Sequence, residues 1–148
     1  MGDKERFKLI PSIYLLLVKE GKILLSRRFQ TGYEDGNYGL PSGHAEGGET
    51  IREAVAREAA EEVGVQIVPD DLHLALTMHR WCGDHERVDF FFTASRVHGE
   101  VKNMELNKCD DLQWFPLQQL PENTIAYIRH AIECYDKGVT YCEFGWNK

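Results

Sequence analysis

Glu58, Glu61 and Glu62 stand three and four positions apart in a segment built to be a helix, so their carboxylates gather where like charge repels. Thr50-Ile51-Arg52-Glu53 has the form of a capping box and Gly64 is a natural stop, which predicts a helix from Ile51 to Val63. At about 100° per residue from Ile51, the apolar Ala54, Val55, Ala59 and Val63 fill an arc of roughly −60° to +120°. Glu58 falls at about −20°, Glu62 at about +20° and Glu61 at about −80°, on or beside that arc, while Glu53 and Arg57 point away. Each like-charged pair costs about 0.2–0.5 kcal/mol even in water, partial burial adds to it, and the macrodipole disfavours acids in the last turn. Divalent cations would resolve the conflict, because Mg²⁺ takes carboxylate oxygens and keeps waters for substrate phosphates. Lysine or arginine side chains from elsewhere would resolve it equally well, and periodicity leaves both arrangements open.

The elements that must position this helix are mostly strands. Ser12 to Val18 and Lys22 to Arg28 are β-branched or leucine-rich runs around Glu20-Gly21, which predicts a hairpin. Gln30 to Gly48 holds six glycines and the Leu40-Pro41 pair, so it reads as a long functional loop with at most a short strand. Leu72 to His79, Val88 to Ala94 and Leu112 to Phe115 are predicted strands. A second helix is predicted to start with Pro121 in its first turn, with Ile125, Ile128, Ile132 and Tyr135 as a packing stripe before Gly138.

Composition narrows the functions. A chain of 148 residues suits a single domain, 1–148, with 43% hydrophobic and 28% charged residues, far from a disordered or membrane composition. The formal net charge of −7 disfavours stable nucleic-acid complexes and anionic membranes, so an anionic ligand needs local help. Ile13 to Val18 is too short to span a bilayer and no leader precedes it, which predicts a soluble, cytoplasmic protein. Cys82, Cys109, Cys134 and Cys142 form no C-x-x-C pair and no Cys/His group with zinc spacing, so four reduced, inert thiols are expected. His73, His79, His85, His98 and His130 are dispersed and form no convincing ligand set.

The run from Gly43 to Val65, GHAEGGETIREAVAREAAEEVGV, resembles the Nudix box, G-x5-E-x7-R-E-U-x-E-E-x-G-U with U aliphatic. Gly43, Glu49, Arg57, Glu58, Glu61, Glu62 and Gly64 fill every fixed position, with Ala59 and Val65 at the U sites. Arg27-Arg28, Leu40-Pro41, Trp114 and Leu120-Pro121 extend the resemblance to MutT-like members over most of the chain, while Ser42 stands where many relatives have glycine. The resemblance implies an α+β fold, a mixed β-sheet sandwiched between helices. It also implies Mg²⁺- or Mn²⁺-dependent hydrolysis of a nucleoside diphosphate linked to another group.

By motif position the resemblance makes Glu58, Glu61 and Glu62 metal ligands, joined by the Gly43 carbonyl, and makes Arg57 and Glu49 the ion pair that steadies the loop and helix. Glu105, six residues beyond Gly99, is the candidate for a further ligand or base, against a solvated loop acid, and Glu61 is the rival base. Arg28 aligns with a phosphate-contacting arginine, and a solvent-facing strand end explains it as well. Asn123 matches a base-recognising asparagine, against a local capping role. Tyr33 and Trp81 could stack on a nucleobase or simply pack, and His44 is expected to make a local hydrogen bond. The missing proline that marks many ADP-ribose hydrolases tilts the expectation toward a nucleoside or deoxynucleoside triphosphate, oxidised or not, cleaved to monophosphate and pyrophosphate. The alternatives are another nucleotide derivative (ADP-ribose, a nucleotide sugar, a dinucleoside polyphosphate) or a non-catalytic nucleotide-binding regulator; capped RNA stays open. The expected partner is a small nucleotide, and the chain a monomer or homodimer.

Overall fold

Residues 5–147 are described by the computed structural model. The first strand, β1 (Ile10–Leu15), alternates between two apolar layers: Ile13 and Leu15 face one core cluster and Tyr14 the other. A strand covered on both faces reads as an unbroken apolar run, which is why its sequence lacks polar alternation. The short β2 (Val18–Lys19) and β3 (Lys22–Arg28) form the predicted hairpin, with Glu20 at φ 53° and Gly21 at φ 76°, the left-handed pair that a two-residue turn requires. The run expected as one strand over Ser12 to Val18 divides. The Leu16 N–H bonds the Phe92 carbonyl at 2.7 Å, whereas the Leu17 carbonyl accepts from the Leu24 N–H at 3.0 Å, so the backbone passes from one sheet to another there.

The glycine-rich segment holds two short strands, β4 (Tyr38–Gly39) and β5 (Ser42–His44). Helix α1 (Ile51–Val63) follows, and its capping box is complete: the Thr50 side chain accepts from the Glu53 N–H while Glu53 accepts from the Thr50 N–H. Such a cap stabilises by about 1 kcal/mol. Gly64, at φ 72°, closes the other end with its N–H on the Ala60 carbonyl. A 3₁₀ turn at Pro69–Asp71 leads to β6 (Leu72–Trp81), which pairs with β7 (Glu86–Ala94), and β8 (Cys109–Pro116) pairs with β3 along its length.

Helix α2 (Ala126–Asp136) starts later than the sequence suggests. The backbone before it is engaged by β4: the Tyr38 N–H donates to the Asn123 carbonyl at 2.8 Å and the Ile125 N–H to the Tyr38 carbonyl at 2.9 Å, so Pro121 lies in a turn outside the helix. Strand β9 (Tyr141–Phe144), which the sequence reading omitted, runs parallel to β6 at one sheet edge.

The strands make two sheets, one ordered β5-β1-β7-β6-β9 with mixed directions, the other centred on β3 with β8, β2 and β4 antiparallel to it. Ala54, Val55, Ala59 and Val63 of α1 pack with Ile13, Leu15, Leu24 and Phe92, whereas Ile128, Ala131 and Ile132 of α2 pack with Tyr14, Leu25, Met78 and Phe91. The strands are therefore held between helices, in an α/β/α arrangement, and each large buried side chain contributes about 1.5–3 kcal/mol. Among the described residues, no helix is long and apolar enough to cross a membrane.

Candidate functional site

The buried face of α1 is the one that the helical arc identified, so Glu58 and Glu62 are carried toward the fold. Opposite them runs β5, antiparallel to β1 with Gly43 beside Ile13. A Cβ on Gly43 would lie 2.2 Å from the Glu58 Oε1, so only glycine allows that carboxylate to lie against the β5 backbone. The Ser42 N–H donates to the Glu62 Oε2 at 2.8 Å, which ties the helix to the same strand. At the far end, the Lys102 N–H donates to the Val63 carbonyl at 2.9 Å and the Met104 N–H to the Glu62 carbonyl at 3.1 Å. The loop thus satisfies carbonyls that a helix leaves unpaired and places Glu105 where its charge is felt by both Glu58 and Glu62.

Arg57 organises one side of this cluster. Its Nε and Nη2 donate to the two oxygens of Glu49 at 3.1 and 3.0 Å, Nη1 to Glu58 at 2.9 Å and to Glu61 at 3.3 Å, and Nη2 to the His44 carbonyl at 3.2 Å. Hydrogen bonding to Arg57 pulls the Glu49 carboxyl below its usual range, and Glu49 and Glu58 in turn raise the guanidinium further. The ion-pair arrangement is thus present in part: one arginine engages Glu58 and Glu61, but Glu62 has no ammonium or guanidinium within 4 Å among the described residues. Burial pushes the Glu62 carboxyl up to about 8, against the pull of the Ser42 N–H, and also raises Glu58. Glu61 is the more open acid, with 55% of its side chain exposed against 27% for Glu105, and Lys108 lies 3.6 Å from the Glu105 carboxylate.

A cavity of about 680 Å³ begins at Ser42, Gly43 and His44 and extends along the sheet. Arg28, Tyr33 and Trp81 line it, so three of the four expected substrate contacts face one space. The Arg28 Nε donates to the Tyr33 carbonyl at 2.6 Å and its guanidinium lies 5.3 Å from the Tyr33 ring centre. Asn123 is not among the lining residues; its side-chain amide donates to the Gly36 carbonyl at 2.8 Å and straps the glycine-rich loop to the α2 approach.

The cavity also exposes residues that the sequence reading passed over. Arg80, next to last in β6, and Asp89, within β7, are both buried and bonded at 2.7 and 3.2 Å. Arg80 also donates to the Tyr14 hydroxyl at 3.2 Å and lies 3.6 Å from the centre of the Tyr127 ring. Arg87 donates from Nη1 to the Ser12 hydroxyl at 3.2 Å and to the His44 Nε2 at 2.7 Å, and from Nε to the His85 Nε2 at 3.0 Å. His44 therefore bonds across strands rather than locally, and burial together with Arg87 lowers its pKa. The available signal was Asp89, a carboxylate inside the otherwise apolar predicted strand Val88 to Ala94; Arg80, Glu86 and Arg87 fall just outside the predicted strand bounds. All four cysteines are free, yet the expectation of no Cys/His ligand group does not hold: His130, Cys134 and Cys142 bring their ligand atoms within 4.8 Å of one another. His130 and Cys134 are one helical turn apart while Cys142 arrives on β9, a strand absent from the sequence reading.

Comparison with known proteins places this geometry. A family model described as the NUDIX domain matches residues 8–133. The NAD-capped RNA hydrolase NudC of Pseudomonas aeruginosa is 32% identical over 132 residues, covering 86% of this chain and 44% of that protein. The Chromobacterium violaceum NudC is 33% identical over 125 residues, covering 80% and 45%. The chain thus spans less than half the length of these curated relatives. Among solved structures, the MutT NUDIX hydrolase from Burkholderia pseudomallei superposes with a TM-score of 0.77 at 27% identity, covering 86% of this chain and 98% of that one. The NUDIX domain of Shewanella oneidensis NrtR, solved with ADP ribose, shares the fold, with a TM-score of 0.69, 20% identity and 91% coverage of both chains. A match to the family model across most of the sequence, residues 8–133, shows that the chain belongs to the NUDIX domain family.

Proposed function

We propose that this chain is a divalent-metal-dependent hydrolase of a phosphoric anhydride in a nucleotide, with a nucleoside or deoxynucleoside triphosphate, cleaved to monophosphate and pyrophosphate, as the first substrate reading. The observation that carries it is Glu62, a half-buried acid with no lysine or arginine nitrogen within 4 Å among the described residues, in the field of Glu58 and Glu105. One guanidinium already shared among Glu49, Glu58 and Glu61 cannot offset the surrounding carboxylates, and the donor set of hard oxygens suits Mg²⁺ or Mn²⁺. Glu58, Glu61, Glu62 and Glu105 with the Gly43 carbonyl would hold the metal, which supplies charge neutralisation on phosphate oxygens and a more acidic water. Arg57 and Glu49 keep the ligand-bearing helix and loop in register, and Glu61 or Glu105 takes the proton of the attacking water. The cavity starting at Gly43 would receive the remainder of the substrate, with Arg28 against phosphate and Tyr33 and Trp81 beside the base.

A second reading, cleavage of the diphosphate of a dinucleotide, is favoured by the relatives named NAD-capped RNA hydrolases, which share 32–33% identity with this chain. The test is a nucleotide panel with Mg²⁺ or Mn²⁺ and identification of the phosphorus-containing products. Monophosphate plus pyrophosphate from a triphosphate supports the first reading, and two monophosphates from a dinucleotide the second. Glu62→Gln and Glu61→Gln should each lower turnover by more than about 100-fold, beyond what loss of an outer partner of a metal site costs. No turnover of any member with either metal would overturn both.

A further inference from the structure

We infer that Arg87, with the Ser12 hydroxyl and His44 beside it, forms a binding site for a phosphate of the substrate other than the two joined by the scissile anhydride. The inference rests on the hydrolase reading and adds a substrate class to it. Three arginines line the cavity, and they differ in how their charge is used: Arg28 lies over the Tyr33 ring with its Nε on the Tyr33 carbonyl at 2.6 Å. Arg80 is neutralised by Asp89 at 2.7 Å and lies beneath the cavity as part of the buried Tyr14–Asp89–Tyr127 network. Arg87 has no carboxylate within 4 Å among the described residues. Its three hydrogen bonds go to a hydroxyl and two imidazole nitrogens, all acceptors without negative charge, and its Nη2 takes part in none of them. A guanidinium held by neutral acceptors keeps its full charge for a ligand and is already oriented when the ligand arrives. In a chain of formal charge −7, such an arginine on a concave wall is where an anion finds favourable potential.

Its place in the fold sets the ligand's position. Arg87 lies at the start of β7, in register with Ile10 of β1 and bonded to His44, the residue that follows Gly43 on β5. A phosphate on Arg87 therefore lies within the cavity while the anhydride is held at the acids of α1. Two sources supply such a group: the terminal phosphate of a triphosphate whose other two phosphates are at the metal, or a phosphate ester on the moiety that fills the cavity.

The experiment measures kcat/KM for two pairs that differ by one phosphate: ATP against ADP, and ADP-ribose 2′-phosphate against ADP-ribose. Wild type should prefer the phosphorylated member of one pair by at least about tenfold, through KM, and the pair identifies the source. Arg87→Ala and Arg87→Gln should reduce that preference to within about twofold, and Arg87→Lys should keep part of it, as a point charge without the planar fork. Lys19→Ala, which removes an exposed charge outside the cavity, should leave the preference intact. Equal preference within both pairs in wild type, or equal losses on both members in the Arg87 variants, would overturn the inference, the latter by placing Arg87 on the anhydride itself. If no member is hydrolysed, the hydrolase reading fails, and calorimetric binding of the same pairs to wild type and Arg87→Gln still decides whether the phosphate site exists.

Discussion

Binding of Mg²⁺ at pH 7 should release a proton, and Glu62 should be its source. In the metal-free protein, burial and the neighbouring charges of Glu58 and Glu105 raise the Glu62 carboxyl from 4.5 to about 8, so at neutral pH it holds its proton. A metal takes only the carboxylate, so an ion bound there displaces most of a proton at pH 7 and progressively less above pH 8. The same shift has a stability consequence whose sign is fixed. Below pH 4.5 the folded and unfolded chains both carry the proton. As pH rises from 4.5 toward about 8 the unfolded chain loses it first, so the folded state is progressively disfavoured, and the loss is complete near pH 8. The gap corresponds to about 5 kcal/mol at ~1.36 kcal/mol per pH unit, of which saturating Mg²⁺ should restore most. Isothermal titration calorimetry in buffers of different ionisation enthalpy counts the protons, and urea unfolding from pH 5 to 8 measures the stability. Glu62→Gln should remove both the proton release and this part of the pH dependence. Saturable Mg²⁺ uptake without proton release, or equal release from Glu62→Gln, would refute the reasoning.

Two further substitutions test the supports of the site. Gly43→Ala puts a methyl group 2.2 Å from the Glu58 Oε1, and because the clash is with the end of a flexible side chain the fold should survive while the carboxylate is displaced. Mg²⁺ affinity should fall at least about tenfold by calorimetry, with the far-ultraviolet circular dichroism spectrum unchanged. Arg80→Ala leaves Asp89, which is fully buried, without its cation and should cost about 3–5 kcal/mol in urea unfolding. The double variant Arg80→Met/Asp89→Leu should recover part of that, because the stranded charge is gone.

The capping box, the glycine stop and the apolar arc made α1 readable, because each depends on residues within one or two turns of each other. The split of the first strand was not readable: Leu16 and Leu17 bond to Phe92 and Leu24, and nothing local distinguishes a leucine that continues a sheet from one that leaves it. Helix α2 starts at Ala126 for a similar reason, since β4 captures the backbone at Asn123 and Ile125 although Pro121 offers a sound helical start. In the site, the acids of one helix were legible from spacing, while Arg87, Ser12 and His44 come from three strands and meet only through the sheet register. The His130–Cys134–Cys142 group shows the same limit, with two members one turn apart and the third on the unrecognised β9.

That division between local and nonlocal residues separates two tasks. On the proposed reading, hydrolysing a phosphoric anhydride requires metal ions, which need several carboxylates in one place, and a capped helix supplies these from a single segment, with Gly43 and Ser42 as the backbone surface they close against. Choosing which anhydride requires groups spaced over the length of the ligand, and on the proposed reading those are the side chains that line the cavity from different strands and loops: Arg28, Tyr33, Trp81 and Arg87. On these two proposals, an acidic chain would hold a polyphosphate by assigning the neutralisation of the scissile group to metal ions and that of a further phosphate to Arg87, which has no carboxylate within 4 Å among the described residues. Loss of the first should abolish turnover, whereas loss of the second should change which substrate is turned over.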